Sequence, residues 1–126
     1  TVLDISCGKG NFISLCLKNN IEGYGVDPID NPNKRIYKGT YSSIIENSKL
    51  LGDYKFDCIT IHNTLHGKGH NEKELKLLFE FFKNHGEYII ISNPIINENL
   101  LDDFKLIHSF KGSHSNKSVF HKLYKC

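Results

Sequence analysis

The chain has 126 residues, 39% of them hydrophobic and 24% charged, with a net charge of +2, which suits one soluble domain with one core and leaves no room for a second. Charges of both signs are scattered, so composition gives nucleic-acid binding no support and does not exclude it. No apolar run nears the ~20 residues of a membrane span and no signal-peptide zones open the chain, so a cytoplasmic protein without membrane contact is expected.

Residues 2–5 predict a short buried strand that closes on Asp4-Ile5 and enters the turn Ser6-Cys7-Gly8-Lys9-Gly10. Small residues at 6, 8 and 10 allow the backbone to fold sharply and approach a ligand closely. A helix from about Asn11 to Asn19 then points its N-terminal amides at whatever the turn holds, as a nucleotide-like cofactor requires. A second strand, Gly23–Asp27, stops at Pro28, and the turn-forming stretch 30–33 is too short for a crossover helix. A third strand around 35–38 ends at Gly39, and 41–51 reads as a helix. Phe56–His62 is the fourth strand, followed by a loop to His70.

Asn71 is a plausible N-cap for the next helix, in which Leu75, Leu78, Phe79 and Phe82 fall at i, i+3, i+4 and i+7 and define one buried face. Gly86 ends that helix. Tyr88–Ser92 is apolar on successive residues, as a strand covered on both faces would be. A short helix over 97–103 follows, then strands over 104–110 and 119–124 joined by a polar turn at 112–117. Alternating strands and helices imply a parallel sheet, and the closing pair adds an antiparallel hairpin at one edge. Cys7, Cys16, Cys58 and Cys126 form no C-x-x-C pair and read as reduced core or turn residues.

With this order in place, the chain resembles a class I S-adenosylmethionine-dependent methyltransferase at several separated points. Val2-Leu3-Asp4-Ile5-Ser6-Cys7-Gly8-Lys9-Gly10 is similar to the family's opening motif, with Ser6 at the first glycine position, where serine can close a tight turn at negative φ. The resemblance implies that Asp4, Gly8 and Gly10, with Ser6, surround the methionine half of the cofactor. Gly25-Val26-Asp27 matches the second motif, whose acid hydrogen-bonds both ribose hydroxyls, and Asp27 follows Gly8 by 19 residues, one strand-helix-strand unit. Thr40 stands where the family often has an acid near the adenine. Phe56-Asp57 through Leu65-His66, and His85-Gly86 before the fifth strand, resemble small-molecule methyltransferases. Asn93-Pro94 follows strand five, so it is not the Asn-Pro-Pro-Tyr motif of amino-methylating enzymes, whose place after strand four holds Asn63.

The resemblance implies a Rossmann-like three-layer sandwich, with a mostly parallel seven-stranded sheet and a C-terminal antiparallel hairpin, as one methyltransferase domain over residues 1–126. Asn63 and His66 are expected nearest the acceptor, with His66 as a general base, and the acceptor is expected to be a small molecule. His62, His66 and His70 recur every fourth residue, but on a strand end and loop rather than a helix, so no metal is expected. Relatives carry helices before the first strand that lid the pocket. None is found here, so either the chain is truncated or a partner domain or subunit completes the lid. The alternatives are a non-catalytic scaffold with this fold and an NAD-binding domain, for which the third fingerprint glycine would be Ile13.

Overall fold

A computed structural model describes residues 1–62, 72–92, 98–114 and 117–126. Its strands are β1 (Val2–Ile5), β2 (Gly23–Asp27), β3 (Ile36–Lys38), β4 (Phe56–His62), β5 (Gly86–Ser92), β6 (Lys105–His114) and β7 (Lys117–Lys125). Among the described residues three helices accompany them: α1 (Asn11–Lys18), α2 (Tyr41–Asn47) and α3 (Glu72–His85). The strands form one sheet in the order β3-β2-β1-β4-β5-β7-β6. Neighbours from β3 to β5 are parallel, while β7 runs antiparallel to both β5 and β6. The expected mostly parallel sheet with a closing hairpin is therefore present.

Strand alternation assigns the two faces. Leu3, Ile5, Ile59, Ile61, Ile89 and Ile91 point to one side and are buried with Ile44 of α2 and Leu78, Phe79 and Phe82 of α3. The opposite side of β2 is glycine at positions 23 and 25, which lets α1 press close. A Cβ on Gly25 would stand 2.6 Å from Cys7 Sγ, and one on Gly23 would stand 3.3 Å from Cys16 Cβ. Pro28 to Arg35 contains no helix, as the turn-rich sequence predicts. Asn31 Oδ1 accepts the Asn33 amide at 2.9 Å and Asn33 Oδ1 accepts that of Arg35 at 3.0 Å, so the asparagines shape this connection themselves.

Several boundaries differ from expectation for local physical reasons. α2 is a helix only to Asn47 and tightens into a 3₁₀ turn over Ser48–Leu51, and the short helix near 97–103 is likewise a 3₁₀ turn, Glu98–Leu101. Strand β5 begins at Gly86, directly after α3, at a junction that only glycine fits without a shift, since a Cβ there would meet the Phe82 carbonyl oxygen at 2.9 Å. The closing strands extend into the polar stretch expected to be a turn, with Gly112 paired to Val119. Phe81 is buried beside the anticipated face, its ring 5.1 Å from that of His85. The His85 Nδ1–H donates to the Tyr54 carbonyl at 2.9 Å, so this buried imidazole has its polar partner. No described helix is long and apolar enough to cross a membrane.

Candidate active site

The turn between β1 and α1 lies at the C-terminal edge of the parallel strands, the edge where open α/β sheets bind ligands. Ser6 has φ 60°, Gly8 58° and Gly10 86°. The serine thus takes the left-handed conformation of the glycine it replaces, not the negative φ expected from sequence, at a cost of about 1–2 kcal/mol. At Gly10 a Cβ would meet Ile36 Cδ1 at 2.6 Å. Gly10 is also the N-cap of α1 and brings no side-chain acceptor, which leaves the first amides of the helix oriented toward the turn.

Asp27 closes β2 and braces that turn. Its Oδ2 accepts the Gly8 amide at 2.9 Å and its Oδ1 accepts the Ile29 amide at 3.0 Å. A carboxylate can accept about four hydrogen bonds, so the same group retains acceptor capacity for a pair of hydroxyls. Thr40 caps α2 reciprocally with Ser43: the Ser43 amide donates to Thr40 Oγ1, and the Thr40 amide donates to Ser43 Oγ at 2.6 Å. Thr40 also lines a cavity of about 260 Å³ with Ser6, Val26, Pro28, Tyr41 and Glu74. Five of the expected cofactor residues, Ser6, Gly8, Gly10, Asp27 and Thr40, therefore sit around one edge of the sheet.

Asp4 lies beneath the turn, buried, with its Oδ1 accepting the Thr60 hydroxyl at 2.7 Å. Burial, reinforced by the charge of Asp27 and opposed by the Thr60 bond, pushes its carboxyl up to about 6. Because the folded value exceeds the unfolded one, the native state holds a proton that the unfolded chain has lost between about pH 4 and 6. Stability is thus expected to fall as pH rises through that window, by about 3 kcal/mol at most. Urea unfolding across pH 4–7 checks this, and Asp4→Asn should flatten the slope. Burial likewise raises the thiols of Cys7, Cys58 and Cys126 to about 11. All four cysteines are free, and these three are protonated and poorly nucleophilic near neutral pH.

Of the residues expected nearest the acceptor, Asn63 and His66 lie outside the described residues, as does His70. His62 is described and ends β4 on the Asp4 side of the sheet, its ring edge-on to Phe12 of α1 at 5.5 Å. Its Nδ1 lies 2.5 Å from Ser92 Oγ, which in turn lies 2.6 Å from His121 Nδ1. Sequence reasoning missed Ser92 and His121. The available signal was a polar residue closing the apolar run Tyr88–Ile91 of β5.

Residues 1–120 match the family described as methyltransferase domain. The chain belongs to that family. The methyltransferase domain superposes on the Burkholderia thailandensis 1,6-didemethyltoxoflavin-N1-methyltransferase, solved with 1,6-didemethyltoxoflavin and S-adenosylhomocysteine bound, with a TM-score of 0.73 and 15% identity over 98% of this chain and 69% of that one. A SAM-dependent methyltransferase from Archaeoglobus fulgidus gives 0.69 and 18% identity over 99% and 85%. Magnesium protoporphyrin IX methyltransferase from Synechocystis PCC 6803, solved with SAM bound, gives 0.59 and 15% over 98% and 68%. No curated protein sequence matches the chain. The expected class I methyltransferase assignment is borne out, and S-adenosylmethionine is the methyl donor of such enzymes. The site of this methyltransferase domain fits that donor: a braced acid ends β2, uncapped helix amides border a glycine turn, and a cavity adjoins both.

Proposed function

We propose that this domain binds S-adenosylmethionine across the ends of β1, β2 and β3 and transfers its methyl group to a small-molecule acceptor. The observation that carries the reading is the Asp27 carboxylate, fixed by the Gly8 and Ile29 amides beside the cavity edged by Thr40 and Tyr41. Asp27 takes the ribose hydroxyls, the cavity near Thr40 takes the adenine, and Ser6, Gly8, Gly10 and Asp4 surround the methionine half. Asn63 and His66, by the family resemblance, are assigned to the acceptor. The neighbour solved with a toxoflavin precursor supports a small molecule as acceptor.

When bound, the cofactor supplies an electrophilic methyl on a sulfonium. The protein's task is to align acceptor, methyl and sulfur and to keep water out, which can lower the barrier by about 7–11 kcal/mol through orientation alone. The buried Asp4 adds a carboxyl that ionises more readily once a cation lies near it, so cofactor binding is expected to release a proton around pH 6.

Calorimetric titration with S-adenosylhomocysteine, with NAD in parallel, tests the reading. A micromolar dissociation constant, about −8 kcal/mol, for the sulfur ligand alone is expected. Heat from NAD and none from S-adenosylhomocysteine would overturn it.

A further inference from the structure

His62, Ser92 and His121 are register partners across three adjacent strands: His62 opposite Ser92 in β4/β5, and Ser92 opposite His121 in β5/β7. Ser92 is buried, and its hydroxyl stands between the two Nδ1 atoms at 2.5 and 2.6 Å. A hydroxyl carries one hydrogen, so it can donate to one ring while accepting from the other. The two imidazoles are then in opposite tautomers, and reversing the direction of both bonds moves a proton from one ring to the other without moving a heavy atom.

Aromatic contacts hold this row from both ends. Phe12 meets the His62 ring edge-on, while Phe110, the register partner of His121, stacks on it at 4.9 Å and 23°. Gly112 gives the His121 ring its space, since a Cβ there would stand 3.2 Å from Nε2. The row begins at the candidate site, because β4 lies beside β1 with Ile61 paired to Ile5, the residue before Ser6. It ends at the β6/β7 hairpin, two strands away.

We propose that His62, Ser92 and His121 form a proton relay serving acceptors methylated at a neutral O–H or N–H group. The relay rests on the S-adenosylmethionine reading above. In the step it serves, the acceptor's lone pair forms the new bond to the methyl carbon, and the carbon–sulfur bond breaks with its electron pair retained by sulfur. The acceptor's proton passes to His62 Nε2, the His62 Nδ1 proton to Ser92 Oγ, and the Ser92 hydroxyl proton to His121 Nδ1. The charge ends on His121, away from the donor. Burial and the charge of His121 both lower the proton affinity of His62. Around the row, α1 presents Phe12, β5 presents Ser92, β6 presents Phe110 with His108 stacked on it, and the acid Asp4 of β1 is bonded to Thr60.

The test is a titration of the ring nitrogens by NMR on protein labelled with ¹⁵N-histidine, between pH 5 and 9. It is run with S-adenosylhomocysteine and with sinefungin, whose ammonium group replaces the methyl sulfonium. In the wild type the two rings should titrate as one coupled pair in two steps. Sinefungin should lower the His62 step by about one to two pH units relative to S-adenosylhomocysteine, as a charge near the ring would. Ser92→Ala should reduce the coupling to the through-space repulsion between the rings, whose centroids are 6.0 Å apart, and His121→Asn, which keeps a hydrogen-bonding group but cannot be protonated, should leave His62 titrating in a single step. Independent titration of the two rings in the wild type would overturn the relay, as would equal His62 steps with the two ligands. Calorimetry on the same samples separates the two readings: absence of heat from both ligands sinks the cofactor assignment, whereas heat with uncoupled rings sinks the relay alone.

Discussion

Replacing Asp27 by alanine is expected to weaken S-adenosylhomocysteine binding about 10²–10⁴-fold. Two hydroxyl bonds to a carboxylate contribute about 1.5–3 kcal/mol each, and their loss sets that range. The substitution also removes the acceptor of the Gly8 and Ile29 amides, so the turn loses its brace along with the ligand. Asp27→Asn separates these effects. Its amide oxygen can still accept one backbone N–H, but its NH₂ cannot accept the second, and a smaller loss of affinity than for alanine is expected. Calorimetry at pH 7, with thermal unfolding of the same samples, provides the check. An alanine variant that unfolds cooperatively yet binds as the wild type does would remove Asp27 from the ribose.

The features legible in the sequence were those that one segment decides by itself. The apolar run Ile89-Ile90-Ile91 marked a strand covered on both faces, and the turn formers Asp30-Asn31-Pro32-Asn33 marked a connection without a helix. The acid at the end of β2 was legible because its distance from the turn is set by one strand-helix-strand unit. Other features depend on partners remote in sequence. That Ser6 adopts positive φ follows from the path the turn takes toward Asp27, and serine's own preference points elsewhere. The burial of Phe81 depends on where His85 and the Tyr54 carbonyl lie. The polar stretch expected as a loop became strand because β6 and β7 satisfy each other's backbone groups along their length, with a register irregularity between Leu106 and His108.

The His62–Ser92–His121 row was the least legible part of the site. Alternation along one strand tells which side chains share a face, but the row exists only through the register of β4 on β5 and β5 on β7, across separations of 30 and 29 residues. The sequence marked His62 through its spacing to His66 and His70, a metal-like recurrence set aside because it falls on a strand end and a loop. The structure pairs it instead with two residues that no local pattern connects.

That register depends on the core beneath it, which makes Phe82 the second large prediction. Phe82 is fully buried, with its ring edge-on to Phe79 at 5.1 Å, in the cluster that joins α3 to Ile59, Ile61, Ile89 and Ile91 of β4 and β5. Truncation to alanine removes an entire aromatic ring and leaves a cavity that the paired strands cannot close, so a loss of about 3–5 kcal/mol is expected. Against a typical total stability of about 5–15 kcal/mol, this is a large share. Phe82→Leu retains most of the volume and should cost about 1.5 kcal/mol or less if the neighbours repack. Urea unfolding separates the two: with a slope of about 1–3 kcal/mol per molar, the alanine midpoint should fall by one to several molar, about threefold further than the leucine midpoint. Equal midpoints for wild type and alanine would mean that α3 does not carry β4 and β5. The leucine variant should keep the coupled titration of His62 and His121, because the strands that set their register remain in place.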